Sequence, residues 1–236
     1  MPSLAQSALL AAMLPAAALA QTCELRSAAQ PPAIVELYTS EGCSSCPPAD
    51  RWLSTLKGRN DVIALAFHVN YWDRLGWPDR FATTAITERQ HQLAQTSGSS
   101  YVYTPQVVMN GRDWRNWSGG APAHLPSSTV ALALKRDGNT VTANIGAANE
   151  RLAGYWAVLE DGHSSRVKAG ENAGETLKHD HVVTLYKAVD AWSAKDAAKQ
   201  LTLALPAATS ANARRVVFVV TDAATQRPVQ ALALGC

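Results

Sequence analysis

The chain carries little excess charge of either sign. Its 236 residues include 21 Lys and Arg against 19 Asp and Glu, giving a formal net charge of +2, and they contain no dense Lys/Arg run. A nucleic acid or an anionic membrane surface is recognised by a concentrated positive patch, so neither is predicted as a partner. Hydrophobic residues make up 47% and charged residues 17% of the chain, a composition typical of a globular protein.

Several motifs that carry chemistry are also absent. There is no G-x-S-x-G nucleophile elbow, so hydrolase chemistry has no support in the sequence. There is no second C-x-x-C and no H-x₃-H, which leaves a structural zinc site short of ligands. We therefore predict no cofactor.

The first twenty residues contain no charged side chain and are rich in Ala and Leu. They end in Ala18-Leu19-Ala20, a small-x-small pattern typical of a signal-peptide cleavage site. Pro15 interrupts the apolar run, which is short for a membrane span. We predict a cleaved export signal over 1–20 and a periplasmic or secreted mature chain without a membrane partner. Disulfides persist in such oxidising compartments.

The sequence has only four cysteines, Cys23, Cys43, Cys46 and Cys236. Cys43 and Cys46 are separated by two residues and form one natural pair. The other two lie near the two ends of the mature chain, and the termini of a domain often lie close together. We predict a structural disulfide between Cys23 and Cys236, with two unpaired surface thiols as the alternative.

The Cys43–Cys46 pair lies between an apolar run over 33–40 and a helical pattern over 49–56. A second apolar run follows over 61–69, so the segment reads as a strand–helix–strand unit. Because proline disfavours the α region in the residue before it, the helix is expected to begin only near the second of the two prolines. In this setting C-x-x-C suits thiol–disulfide exchange, with an exposed Cys43 as nucleophile and Cys46 as resolving thiol.

Four further residues are candidates for a role near the cysteines. Glu36, in the middle of the first strand, is a candidate proton carrier for Cys46, unless it is merely solvated. His68 ends the second strand and is a candidate ligand or proton carrier, although a hydrogen-bonded structural histidine is the more common case. His179 and His181, two residues apart, are expected on a solvated strand face rather than at a chelating site.

The remaining pattern divides the chain into two parts. An aromatic-rich loop over 70–80 leads into a helical stretch over 81–96, and a strand is predicted over 106–109 before an Asn-Gly turn. A Gly/Pro/Ser-rich linker is predicted over 118–128. Short β-rich runs separated by turn residues then predict an antiparallel β-sandwich-like domain over 129–236.

Four ordered stretches, "VELYTSEGCSSCPPAD", "HVNYWDRLGW", "VYTPQVVMNG" and "GENAGETLKHDHVV", resemble a family of exported bacterial proteins catalogued as domain of unknown function 1223, within the thioredoxin-like superfamily. The resemblance implies an α/β thioredoxin-like domain over 21–117, with Thr104 and Pro105 in the cis-proline position beside the C-x-x-C pair. The usual final helix of such a domain has no room here, so Trp114 and Trp117 or the second domain should cover that sheet face. The family implies no substrate.

Three functions follow from these observations. The favoured one is a thiol–disulfide oxidoreductase with a protein thiol or disulfide as partner, its redox direction, substrate and oligomeric state left open. The second is a Cu(I)-binding or redox-sensing protein that uses Cys43 and Cys46, with His68 as a third ligand. The third is a non-catalytic binding module in which Cys43–Cys46 is a structural disulfide.

Overall fold

The computed structural model describes residues 22–195 and 198–236. The predicted export signal over 1–20 lies outside these described residues. The described chain is mostly β-sheet, arranged in several sheets, with two α-helices. Within the same ranges, no helix is both long and apolar enough to cross a membrane.

The N-terminal half holds both helices and the first five strands. In chain order they are β1 (Thr22–Arg26), β2 (Ala33–Thr39), α1 (Pro47–Ser54), β3 (Val62–His68), α2 (Thr84–Thr96), β4 (Gln106–Met109) and β5 (Arg112–Asp113). A short 3₁₀ turn over Asp73–Leu75 lies between β3 and α2. The predicted strands and helices are thus all present, with ends that differ by a few residues.

The C-terminal half contains only strands among its described residues. They are β6 (Leu132–Asp137), β7 (Thr140–Ile145), β8 (Arg151–Glu160), β9 (His163–Arg166), β10 (Thr176–His179), β11 (Val182–Ser193), β12 (Lys199–Ala204), β13 (Arg214–Asp222) and β14 (Pro228–Leu234). β9 and β10 form a separate two-stranded hairpin. This hairpin contacts α1 and so lies beside the C-x-x-C turn.

One long sheet runs through both halves, in the order β14-β13-β8-β11-β3-β2-β4-β5. β2 pairs in parallel with β3 and antiparallel with β4, as expected for a strand–helix–strand unit followed by a reversed strand. The two halves meet where β11 pairs with β3 at Val182 and Ala66. Strands on either side of the predicted linker over 118–128 therefore share one sheet, and the division into two domains stays a prediction.

A second sheet, in the order β1-β6-β7-β12, packs against the β8, β13 and β14 part of the long sheet. Alternate residues of β8 point to opposite faces. Trp156 and Val158 pack with the four-stranded sheet, whereas Tyr155 and Ala157 pack on the other face in a cluster that also contains residues of β2, β3 and α2. The sandwich-like packing predicted from the β-rich runs is present, but one of its two sheets is shared with the N-terminal half.

Helix α1 covers the remaining face of β2 and β3. Its apolar residues Ala49 and Leu53 pack against Val35, Leu37 and their neighbours on β3. The ring of Trp52 lies 5.6 Å from that of Trp114 and 5.3 Å from that of Trp117, measured between ring centroids. Trp114 and Trp117 thus pack beside α1 at the edge of this cluster, and each such aromatic contact contributes about 0.5–1.5 kcal/mol.

Candidate functional site

The C-x-x-C turn joins the end of β2 to the start of α1. Cys43 N–H donates to the carbonyl of Ser40 at 3.1 Å, and Cys46 N–H donates to the carbonyl of Cys43 at 3.2 Å. Cys46 is the N-cap residue with φ −78° and ψ −36°, and the helix begins at Pro47. The expected extended Cys46 is therefore wrong, because this tight turn holds the residue in the α region. Prolines fit the first turn, where helix N–H groups have no intrahelical acceptor.

Cys43 and Cys46 form a disulfide with a Cα–Cα distance of 5.5 Å, and both residues are 0% exposed. The expectation of an exposed Cys43 sulfur is therefore wrong for this oxidised state. The Cys43 sulfur lies 3.4 Å from the hydroxyl of Ser45 and 3.3 Å from the hydroxyl of Thr104, which donates to the sulfur. Only the two serines between the cysteines are exposed at this turn.

Thr104 approaches from the segment that enters β4. The Thr104–Pro105 peptide bond is cis. The indole N–H of Trp72 donates to the hydroxyl oxygen of Thr104 at 2.8 Å. This bond occupies the acceptor side of the hydroxyl, which orients its proton toward Cys43. A donor aimed at that sulfur stabilises a thiolate there.

A loop from the C-terminal half closes over the turn; we call residues 170–174 the clamp loop. The carboxylate of Glu171 accepts hydrogen bonds from the backbone N–H of Ser44 at 3.0 Å and from its hydroxyl at 2.8 Å. These bonds lower the pKa of Glu171, which lies at the surface. The loop therefore binds the exposed side of the C-x-x-C turn.

The second anchor of the clamp loop is buried. The side-chain amide of Asn172 donates to the carbonyl of Glu41 at 2.9 Å and to that of Cys43 at 3.0 Å. Asn172 is itself buried, so it serves the Glu41 carbonyl in place of water and is a second donor to the Cys43 carbonyl beside the N–H of Cys46. No role for this segment could be predicted beyond the family resemblance, because nothing local indicates a partner about 130 positions away.

A buried polar cluster lies behind the disulfide. It consists of Glu41, Asp50, His68, Asp79 and His179. The Nδ1 atom of His68 lies 2.7 Å from Oδ2 of Asp79, which also accepts the N–H of Glu41 at 2.8 Å. The His179 ring lies 5.0 Å from that of His68, and its Nε2 is 3.4 Å from a carboxylate oxygen of Glu41.

Within this cluster, the pKa shifts of Asp79 and His68 favour the charged form of both side chains. Burial alone would raise the pKa of Asp79, but His68 and two backbone N–H groups bring it down to about 2. Burial alone would lower the pKa of His68, yet Asp79 raises it above its usual value. The two therefore form a buried ion pair. His68 is hydrogen-bonded to a carboxylate, and the structural role favoured by the sequence stays a prediction.

Asp50 differs from Asp79 in that its pKa is raised rather than lowered. It lies on α1 one helical turn after Cys46, and its carboxylate accepts the hydroxyl of Thr39 at 3.2 Å. Burial raises the pKa of Asp50, and the nearby His179 and His68 offset only part of this effect. Sequence reading missed this residue, although its place four residues after Cys46 in a helical pattern was a usable signal.

Glu36 lies elsewhere, on the face of β2 that packs toward α2. Its carboxylate is paired with Arg89 and accepts the hydroxyls of Tyr155 at 2.6 Å and Tyr38 at 3.1 Å. The guanidinium of Arg89 also stacks 4.1 Å from the Tyr155 ring centroid. Among the described residues, none of the hydrogen bonds of Glu36 reaches a cysteine. The predicted proton carrier for Cys46 is instead the counter-ion of a buried arginine.

The two C-terminal histidines do not share a solvated strand face. His179 ends β10 and is buried in the polar cluster. His181 lies between β10 and β11 with φ +58°, and its N–H donates to the carboxylate of Asp161 at 2.7 Å. Burial, first of all, lowers the pKa of His181 to about 4. The prediction of a solvated strand face is wrong because β10 packs against α1 and β11 pairs with β3.

Two further predictions concern the cysteines: a structural disulfide between Cys23 and Cys236, and a copper site that uses Cys43 and Cys46. Cys23 and Cys236 form a disulfide with a Cα–Cα distance of 6.6 Å, which ties β1 to the C-terminus. With both sulfurs of the C-x-x-C pair in a disulfide, neither is a thiolate ligand for copper. In the described part of the chain, no group of three or more His, Cys, Asp or Glu side chains is arranged to hold a metal ion.

Comparison with known proteins gives one family match and two similar solved structures. The family model described as "Protein of unknown function (DUF1223)" matches residues 34–221. No curated protein matches the chain. Of solved structures, protein AGR_C_4864 from Agrobacterium tumefaciens is similar at 28% identity and a TM-score of 0.62, over 86% of this chain and 93% of that chain.

HBP35 of Porphyromonas gingivalis is also similar in structure. The match has 14% identity and a TM-score of 0.59, over 86% of this chain and 74% of that chain. At this identity the likeness concerns the fold alone. The match of the family model covers most of the chain, so the protein belongs to the DUF1223 family of proteins of unknown function.

Proposed function

We propose that this protein is an exported thiol–disulfide oxidoreductase of the thioredoxin-like type, acting through Cys43 and Cys46 on a protein thiol or disulfide. The observation that carries the proposal is the position of the pair. The disulfide lies between a strand and the helix that follows it, and the Thr104 hydroxyl donates to the Cys43 sulfur at 3.3 Å. A structural disulfide has no need of a donor aimed at one sulfur.

The chemistry follows the usual course of disulfide exchange. A partner thiolate attacks the sulfur of Cys43, the Cys43–Cys46 bond breaks, and Cys46 leaves as a thiolate. A second partner thiolate then attacks the mixed disulfide, releasing Cys43 and an oxidised partner. In the opposite direction, the Cys43 thiolate attacks a disulfide of the partner and releases one of its sulfurs as a thiolate. Cys46 then attacks the mixed disulfide on Cys43 and expels the other partner sulfur as a thiolate. Cys43 is the nucleophile and Cys46 the resolving thiol in this proposal.

Access to the disulfide requires movement, because both cysteines are fully buried. The clamp loop is the element we propose to open, since its contacts to the turn are few and polar. Segments with few buried apolar contacts open at low free energy. A partner that displaces the loop would reach Cys43 from the side of the exposed Ser44 and Ser45.

The same burial favours a second candidate function. A fully covered disulfide is also what a binding module would use as a permanent staple, with activity elsewhere in the chain. The two candidates differ in reactivity: an exchange pair accepts electrons from ordinary thiols in the folded protein, whereas a staple does so only after unfolding.

The test is capture of a mixed disulfide. The Cys46→Ser variant should hold partner proteins on Cys43 when expressed with its export signal, as adducts that dissolve on reduction. The Cys43→Ser variant is the matched control and should hold far fewer. Equal adduct levels in the two variants, or none in either, would favour the staple.

A further inference from the structure

A proton must accompany any exchange at Cys46. When the disulfide is reduced, the leaving sulfur of Cys46 needs a proton to become a thiol. When the pair is reoxidised, that thiol must lose its proton before it can attack. A buried sulfur cannot make this transfer directly with bulk water, and Cys46 is fully buried.

Asp50 lies in the position to make the transfer. Its backbone N–H donates to the carbonyl of Cys46 at 3.1 Å, which is the i, i+4 bond of a helical turn. Side chains at i and i+4 lie on one helix face with Cβ atoms about 5–6 Å apart, and helical side chains lean toward the N-terminus. The carboxylate of Asp50 is thus directed back toward Cys46. Its one hydrogen-bond partner among the described residues is the hydroxyl of Thr39.

A route to water opens on the other side of Asp50. A cavity of about 170 Å³ lies between α1 and β10, lined by Asp50, Pro47, Arg51 and residues 176–179. Water occupies about 30 Å³ per molecule in the liquid, so a cavity of this size holds several. Asp50 therefore lines a space large enough for water and lies one helical turn after Cys46.

The charged groups around Asp50 come from every element that packs on it. They are His68 on β3, His179 on β10, Asp79 and Glu41 on loops, and Arg51 and Lys178 at the cavity. His68 is held in its ion pair with Asp79. The Nε2 atom of His179 lies 3.4 Å from a carboxylate oxygen of Glu41.

We propose that Asp50 gives a proton to the Cys46 sulfur when the disulfide is reduced, and takes it back when the pair is reoxidised. On reduction, the attacking thiolate forms a bond to the sulfur of Cys43, the S–S bond breaks, and the Cys46 sulfur receives the electron pair and then the proton of Asp50. The Asp50 carboxylate is reprotonated through the cavity. On reoxidation each step runs in reverse. The inference rests on the function proposed above and names the group that balances its protons.

Asp50→Asn tests the inference in the full chain. The disulfide of each protein is reduced by excess dithiothreitol between pH 5 and 9, and alkylation followed by mass spectrometry gives the fraction of reduced Cys46. Each rate is divided by the concentration of dithiothreitol thiolate. For the wild type this normalised rate should fall as Asp50 loses its proton. For Asp50→Asn it should be about 100-fold lower at the acid end and independent of pH.

Two further variants separate a proton role from a structural one. Thr39→Val removes a hydrogen bond that lowers the pKa of Asp50, so its profile should keep the wild-type shape and shift to higher pH. Asp61→Asn, a distant carboxylate beside Arg59, should leave the profile unchanged. A folded Asp50→Asn protein that keeps the wild-type profile overturns the inference while the exchange function stands. A wild-type disulfide that dithiothreitol cannot reduce overturns both.

Discussion

Asn172 is the side chain whose removal should report most directly on access to the disulfide. It is buried, and its amide bridges the carbonyls of Glu41 and Cys43. The Asn172→Ala variant removes both hydrogen bonds and leaves the rest of the clamp loop in place. We expect the Cys43–Cys46 disulfide to become easier to reduce, because the loop then opens more often.

The size of the effect follows from the two carbonyls. The carbonyl of Cys43 keeps the N–H of Cys46 as a donor in the variant, so the loss is that of two hydrogen bonds, each worth a net stabilisation of about 1 kcal/mol. Together the two lost bonds lower the stability of the closed loop by about 2 kcal/mol. This raises the equilibrium constant for opening about 30-fold. If the reductant attacks only the open form, the rate of reduction rises by the same factor.

The assay is single-turnover reduction by glutathione at pH 7, with alkylation and mass spectrometry of the peptide that carries Cys43. Gln230→Ala is a matched control, because the amide of Gln230 also bridges two carbonyls, those of Ala28 and Val130. Gln230 lies near the start of β3, at the end of the strand opposite the turn. This variant should lower the free energy of unfolding similarly without faster reduction. Equal acceleration in both variants would mean that reduction follows global unfolding and that the clamp loop is no gate.

Three other predictions concern stability. Cys23→Ser with Cys236→Ser opens a loop of 213 residues, and urea unfolding should show a loss of about 5 kcal/mol. Arg89→Leu leaves Glu36 as an unpaired buried charge and should cost about 3–5 kcal/mol in the same assay. The pKa of Asp79 is about 2 in the folded protein and 3.8 ordinarily. The ionised carboxylate therefore stabilises the fold by about 2 kcal/mol above pH 4, and this contribution is lost as the pH falls toward 2. The Asp79→Asn variant should lack this acid-dependent loss of stability.

The local elements around the cysteines could be predicted from the sequence. The apolar runs over 33–40 and 61–69 correspond to β2 and β3, and the strand over 106–109 is β4. Helix α2 begins at Thr84 rather than at 81, because the side chain of Thr83 accepts the N–H of Ile86 and caps the helix there. Patterns of this kind act over a few residues, which is why they can be read directly.

The long-range contacts of the site could not be predicted. Asn172 and His179 reach the C-x-x-C turn and the polar cluster only because β11 joins β3 and carries the β9–β10 hairpin onto α1. Glu36 was misassigned for a related reason: the strand periodicity fixes which face it occupies, but not that Arg89 lies on that face. The burial of both cysteines follows from the same packing of distant segments.

The most direct test of the central claim is a redox titration of the Cys43–Cys46 pair in a protein with Cys23 and Cys236 both replaced by serine. Glutathione buffers set the potential, and the free thiols are counted at equilibrium after alkylation. An exchange pair should titrate reversibly, with a midpoint between about −120 and −270 mV, the range of known disulfide oxidoreductases. A midpoint below about −300 mV, or no reduction while the protein stays folded, would identify a structural bond and contradict the proposed function.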